Sequence, residues 1–272
     1  NLIKEAKQKG HEYVVNMTPD EGKSGVGNSG VINSTDGKDA DDKKDGDRKG
    51  NGITIGEFID NKAKESAQVI ITDFEAGQLE LNPKKKKQHI SKNVLNQKAA
   101  TSVSGETEFN LIGGHHENLG GKKPYSKEIP GLTKRENLTY TIDDPNKYIT
   151  NYLKPLYKDS GHELNPYTEK WIRNYFEKRG SNVFSSDGKA GGLPGLHAEV
   201  QAVNEILNAL QEEKGIDLDT YDFSQIDVST YKLAVTEDTE DQQGKPFEAC
   251  PHCSGILHPD INVITGRKVK TQ

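Results

Sequence analysis

Apolar positions along the second half of the chain recur with two different periods. Leu196, Val200, Val203, Leu207 and Leu210 fall at i, i+4 and i+7 spacing, which predicts a helix that begins near His197 and buries that stripe. Gly191, Gly192, Pro194 and Gly195 hold the chain out of helix until that point. A second helix is expected over 165–180: Pro166 stands near its start, Trp171, Ile172, Tyr175 and Phe176 share one face, and Gly180 stops it. That aromatic stripe reads as core packing. Residues 145–157 suggest a further helix opened by Pro145. Alternation predicts strands in LTYTIDD (138–144) and, half-buried, in STYKLAVTE (229–237), with another at 261–269. AQVIITDF (67–74) reads as a buried strand, ITIGEFIDNKAKES (53–66) as a short strand or helix start, and GGHHENLGG (113–121) as a loop.

Composition alters this picture at the N-terminal end. Of 272 residues 31% are hydrophobic, mean hydropathy is −0.84, and adding the 27 glycines brings the apolar share to roughly 41%, below the usual ~45–50%. The deficit is concentrated in residues 18–52, where Gly, Ser, Asn, Asp and Lys dominate, so that stretch reads as a solvated linker. The GKSG at 22–25 is not a phosphate loop, because Met17 stands where the motif needs glycine and no apolar strand precedes it. The expected division is therefore a loop-rich, partly disordered N-terminal region, 1–130, followed by a folded domain, 131–272. No run approaches the ~20 apolar residues of a membrane span. The start lacks both Met and a signal-peptide apolar region, so the chain is expected to be a piece of a longer protein.

The chemistry lies in the last third. Cys250 and Cys253 are the two cysteines of the chain, which excludes a disulfide framework. At i, i+3 they share one face at the start of a short helix, with Pro251 at its first position. A helix N-terminus favours thiolates, the form that a metal needs. The strand expected between the two helices is a compact way to bring this pair against His197. One His and two Cys suit tetrahedral zinc with a fourth position open to water. Glu199, two residues from His197, is then the candidate proton carrier, and the set describes hydrolytic deamination of a nucleobase. His252 is expected to point away from the face that Cys250 and Cys253 share. His115 and His116 are expected to carry no metal, since adjacent side chains diverge.

His197-Ala198-Glu199 followed by Cys250-Pro251-His252-Cys253 resembles the zinc-dependent cytidine deaminase superfamily signature. LHAEVQAVNEIL with FEACPHCSGIL is closer still to the YwqJ-like deaminases of bacterial polymorphic toxins, over roughly residues 138–268. The resemblance implies an α/β fold, a cytidine-deaminase-like α/β/α sandwich with a mixed central sheet. It implies zinc ligation by His197, Cys250 and Cys253, with Glu199 as general acid/base. It also implies a toxin module at the end of a larger delivered polypeptide that acts in a target-cell cytoplasm, with an immunity protein in the producing cell. Two features depart from the broad family: proline follows the first cysteine, Ala249 standing before it, and the chain ends soon after the strand expected at 261–269. Strands found later in larger members are then absent or supplied from upstream.

Charge bears on the substrate. Residues 187–248 hold fourteen Asp/Glu and four Lys/Arg, which disfavours a polyanion. Residues 81–135 hold eleven Lys/Arg against four Asp/Glu; the run Lys84 to Lys87 reads first as a solvated turn and second as a phosphate contact, and a polyanion is expected to bind only where this segment or the tail Arg267, Lys268 and Lys270 folds over the site. The leading expectation is deamination of a base in nucleic acid or in a free nucleotide. The alternatives are deamidation of a protein side chain by the same fold, and a non-catalytic zinc-stabilised binding module.

Overall fold

The computed structural model describes residues 53–76, 99–119, 128–135, 139–179, 183–185, 193–234 and 242–267. The linker at 18–52 with its GKSG, the run Lys84 to Lys87, and Lys268 and Lys270 all lie outside them.

Helix α1 (Ile55–Glu75) opens with a capping box, in which Glu57 N donates to Thr54 Oγ1 at 3.1 Å and Thr54 N donates to the Glu57 carboxylate at 2.8 Å. Ile59, Ala63, Ala67, Ile70 and Ile71 form its buried stripe. The strand expected at 67–74 is thus the second half of α1. Its Val-Ile-Ile run favours strand locally, but Ala67, Ile70 and Ile71 continue a helical stripe that began at Ile59, while Val69 points to solvent.

The main sheet has the order β2-β1-β6-β7, built from β1 (Ala100–Glu106), β2 (Leu111–Glu117), β6 (Ile226–Lys232) and β7 (Asn262–Val263). β1 runs antiparallel to both neighbours and β7 runs parallel to β6, so the sheet is mixed. Alternation along β6 sends Ser229 and Tyr231 toward α1, where both hydroxyls donate to the Asp60 carboxylate, while Ile226 and Val228 enter the larger core on the other face. β6 is therefore a central strand covered on both faces, and not half-buried as its alternation predicts. Its opposite cover is α4 (Ala198–Glu212), which packs on β1, β2 and β6 with Leu196, Val200, Val203, Leu207 and Leu210 all buried. A helix on each face of one mixed sheet is the expected α/β/α arrangement.

The loop expected at 113–121 is largely β2. Its glycines make room for a side chain of α4: a Cβ on Gly113 would stand 2.6 Å from Glu205 Oε2. β1 and β2 precede residue 130 yet pair with β6, so the sheet crosses the division drawn after that residue. Of the strand expected at 261–269, the described residues form Asn262–Val263, after which a turn closed by Gly266 at a φ of +90° leads to a single bridge between Arg267 and Ala249.

Around this sandwich, among the described residues, lie further strands and helices. β3 (Leu132–Lys134), β4 (Thr139–Ile142) and β5 (Val183–Ser185) form a small antiparallel sheet, in which β4 fulfils the expectation for 138–144. Pro145–Tyr148, the π-helical Ile149–Leu153 and Lys154–Asp159 follow one another without a break and together make α2, capped by Asp144, which accepts from Lys147 N at 2.9 Å. α3 (Pro166–Lys178) begins at Asn165, whose side chain accepts from Tyr167 N. Trp171 and Ile172 are buried, and Tyr175 and Phe176 pack against the same core. The short α5 (Pro251–Ile256) follows the second motif and packs on α3 and α4.

Candidate active site

Each motif begins a helix, and each helix start is held by residues remote in sequence. His197 occupies the N-cap position of α4 with extended backbone, but its ring makes no capping hydrogen bond. Asn118 does that work, its Oδ1 accepting from Ala198 N at 2.9 Å. The residues before it are pinned too. Tyr148 donates to the Pro194 carbonyl at 2.8 Å, Tyr157 to the Gly195 carbonyl at 2.7 Å, and Leu119 N to the Leu196 carbonyl at 2.8 Å. Gln201 Nε2 joins the Leu196 and Glu117 carbonyls. The imidazole of His197 is thereby left to face the second motif.

Cys250 is the N-cap of α5, its Sγ accepting from Cys253 N at 3.4 Å. The far end of α5 is held by Arg267, whose guanidinium donates to the Ser254, Leu257, His258 and Ile261 carbonyls. Arg267 is thus committed to backbone, a correction to its expected part as a phosphate contact.

His197 Nδ1 lies 3.0 Å from Cys250 Sγ and 3.2 Å from Cys253 Sγ, and the two sulfurs are 3.6 Å apart. Bond lengths of ~2.3 Å to sulfur and ~2.0–2.1 Å to nitrogen at tetrahedral angles place such donors about 3.6–3.8 Å apart. The two sulfurs thus stand close to the spacing that a zinc ion needs, and the imidazole, at 3.0 and 3.2 Å from them, lies roughly half an ångström nearer than it would with the ion between them. The soft and borderline donor set suits zinc rather than magnesium or calcium. Glu199, in the first turn of α4 and 3% exposed, brings Oε2 to 3.4 Å from Cys253 Sγ. The four groups expected from the sequence are thus together on one side of the α4–α5 junction.

The electrostatics follow from burial and from the contact between the two sulfurs. The hydrogen bond with Cys253, aided by His197, holds the Cys250 thiol well below its ordinary value, while burial and the adjacent Cys250 push Cys253 well up. Burial, and then the Cys250 charge, raises the Glu199 carboxyl above the ordinary carboxylate range.

His252, between the cysteines, turns away as expected: its Nδ1 is 2.7 Å from the Tyr175 hydroxyl, which also accepts from Arg179. Sequence reasoning missed Asn118, Tyr148, Tyr157 and Gln201 as supports of this site. Asn118 falls in the stretch read as loop, and no spacing links it to a helix that starts eighty residues later. A buried tyrosine with a hydroxyl to satisfy was the one available signal for Tyr148 and Tyr157.

Comparison with known proteins points to the stretch of chain that carries both motifs. The family model of YwqJ-like deaminases matches residues 121–261, which takes in both motifs. A curated relative, a protein named Toxin subunit YenC2 from Yersinia entomophaga, is 34% identical over 128 residues. That stretch is 47% of this chain and only 12% of the relative, so the chain spans a small part of the relative's length. No solved structure matches.

Proposed function

The chain belongs to the YwqJ-like deaminase family, and on that premise we propose that it is the deaminase module of a larger toxin, hydrolysing an exocyclic amine from a nucleobase with zinc held by His197, Cys250 and Cys253. The observation that carries this reading is the meeting of three donor atoms within 3.6 Å of one another, with the Glu199 carboxylate 3.4 Å from one of them. When bound, zinc supplies a water whose pKa is lowered to about 7. The Glu199 carboxylate takes a proton from the attacking water and gives it to the departing amine. The amidine carbon thereby gains an oxygen and loses ammonia. Burial of His197 and Glu199 keeps bulk water from competing for that proton.

The deaminase unit is taken to reach back to α1, because β1 and β2 flank β6 and α1 covers the sheet. Upstream strands then replace those that larger members carry later in sequence. What precedes α1 belongs to the N-terminal region. The relative's name, Toxin subunit YenC2, supports a toxin context, and with it delivery into a target cell and an immunity protein in the producer. The test is sequencing of DNA and RNA from cells that briefly express the chain or its Glu199→Gln variant, with an ammonia assay on a nucleotide panel. Base changes or ammonia release confined to the unaltered chain, reduced about 10²–10⁴-fold by Glu199→Gln, are expected. Activity equal in both forms, or +1 Da shifts in protein amides with bases untouched, overturns the reading.

A further inference from the structure

A second group of metal-binding side chains lies farther along α4. Glu205 is six residues beyond Glu199, about 9 Å along the helix axis, and its carboxylate is turned to the edge strand β2. There Glu205 Oε2 accepts from Gly114 N at 2.8 Å and lies 2.9 Å from His116 Nε2. His162, which follows α2, joins them: its ring centroid is 5.0 Å from that of His116, and one ligand atom from each of His116, His162 and Glu205 falls within 4.8 Å of the others.

Three features make this more than a buried ion pair. First, three separate elements converge, and the loop that carries His162 is clamped in place. Asn204 and Asn208, which flank Glu205, both donate to the Glu163 carbonyl at 2.9 Å, and Asn204 Oδ1 accepts from Asn165 N at 2.8 Å. Second, space is reserved for the carboxylate, since a Cβ at Gly113 would collide with Glu205 Oε2. Third, the donors are two imidazoles and a carboxylate, the set that holds zinc with one position left open. Lys62, reaching from α1 to the Gly113 carbonyl at 3.2 Å, interacts with the same carboxylate, so an arriving dication must draw its affinity from both imidazoles as well.

We propose that His116, His162 and Glu205 form a second binding site for a divalent transition metal, distinct from the site at His197. Imidazole donors exclude magnesium and calcium as its natural occupants. The bound ion joins β2, the α2–α3 loop and α4, the three elements that also carry Asn118, Asn165 and His197. The site is therefore structural, holding the helix from which the first motif projects.

The probe is zinc, added in equivalents to the metal-stripped full chain and counted by native mass spectrometry. Two ions per chain are expected for the unaltered protein. One is expected for His162→Gln and for Glu205→Gln, one for a Cys250→Ser, Cys253→Ser double variant, and none when the two sets are combined. Circular dichroism checks that each variant is folded, and His162, half-buried in a loop, is the variant least able to disturb the core. With cobalt, thiolate charge-transfer absorption must persist in His162→Gln. A single ion in the unaltered chain that is lost with the cysteines, or a second ion that survives in both His162→Gln and Glu205→Gln, overturns the proposal. A single ion that survives loss of the cysteines and is lost in His162→Gln supports this site and sinks the one at His197.

Discussion

His197 Nδ1 and Cys250 Sγ stand 3.0 Å apart at a sequence separation of 53, and no hydrogen bond of the ordinary capping kind ties either side chain to the other's helix. Each residue sits at the cap of its own helix, so two helix starts face each other and their donor atoms converge between them. A metal ion held there, as proposed, would join α4 to α5. Stripping zinc with a chelator is expected to lower Tm by roughly 5–10 °C relative to a hundredfold-saturated protein. Cys253→Ser is expected to abolish the part of this response that depends on the thiolates, read by thermal unfolding with and without added zinc.

Asn118 is the remote cap of α4. Asn118→Ala leaves Ala198 N–H without its acceptor and is expected to cost about 1 kcal/mol, a fall in Tm of roughly 2–4 °C. Activity is expected to fall further than stability accounts for, since His197 and Glu199 lie on either side of that amide. Steady-state assay at a temperature where both forms are fully folded separates the two effects.

Gly195 has a φ of +87°, and a Cβ there would come within 3.0 Å of Ile172 Cδ1 and 3.1 Å of Leu153 Cδ1. Gly195→Ala is expected to destabilise the protein by about 1–2 kcal/mol through the left-handed backbone alone, and to displace the carbonyl that Tyr157 holds. Urea unfolding gives the first figure. The zinc affinity of the folded variant reports the second.

Glu169 joins two helices, bonded to Lys154 of α2 at 2.7 Å and to Arg173 of α3 at 2.7 Å. Burial opposes its charge, but Lys154 and Arg173 outweigh that and hold the carboxyl below the ordinary carboxylate range. A depressed folded-state pKa adds stability above the unfolded value of about 4.3, and that stability is lost as pH falls through the folded value. Glu169→Gln is therefore expected to lower stability by about 1 kcal/mol at pH 7 and to converge on the unaltered protein only once the pH has fallen below the folded-state value. Denaturant midpoints measured between pH 3 and 7 check both halves of the curve.

The elements next to the motifs were legible in the sequence because their signals are local. Five apolar residues at helical spacing behind a Gly-Pro-Gly stretch specify α4 and its start, and Cys250-Pro251 specifies the start of α5, whatever surrounds them. From those two starts the residue types of the site followed directly. The misread elements are those in which local preference and tertiary burial disagree. Val69, Ile70 and Ile71 favour strand one by one, and only the sheet face that receives Ile59, Ala63 and Ala67 makes them helix. The glycine pair at 113 and 114 reads as loop until Glu205, some ninety residues away in sequence, is seen to fill the space that a Cβ would occupy.

By itself, then, the sequence determined which residues could bind and move protons, because those choices depend on side-chain chemistry and on spacing within a single helical turn. Tertiary structure alone decided that β1 and β2 complete the sheet, that Asn118 caps α4, and that His116 meets Glu205. Those pairings bring together residues far apart in the chain, and the burial that favours them exists only once the sheet and its two covering helices have assembled.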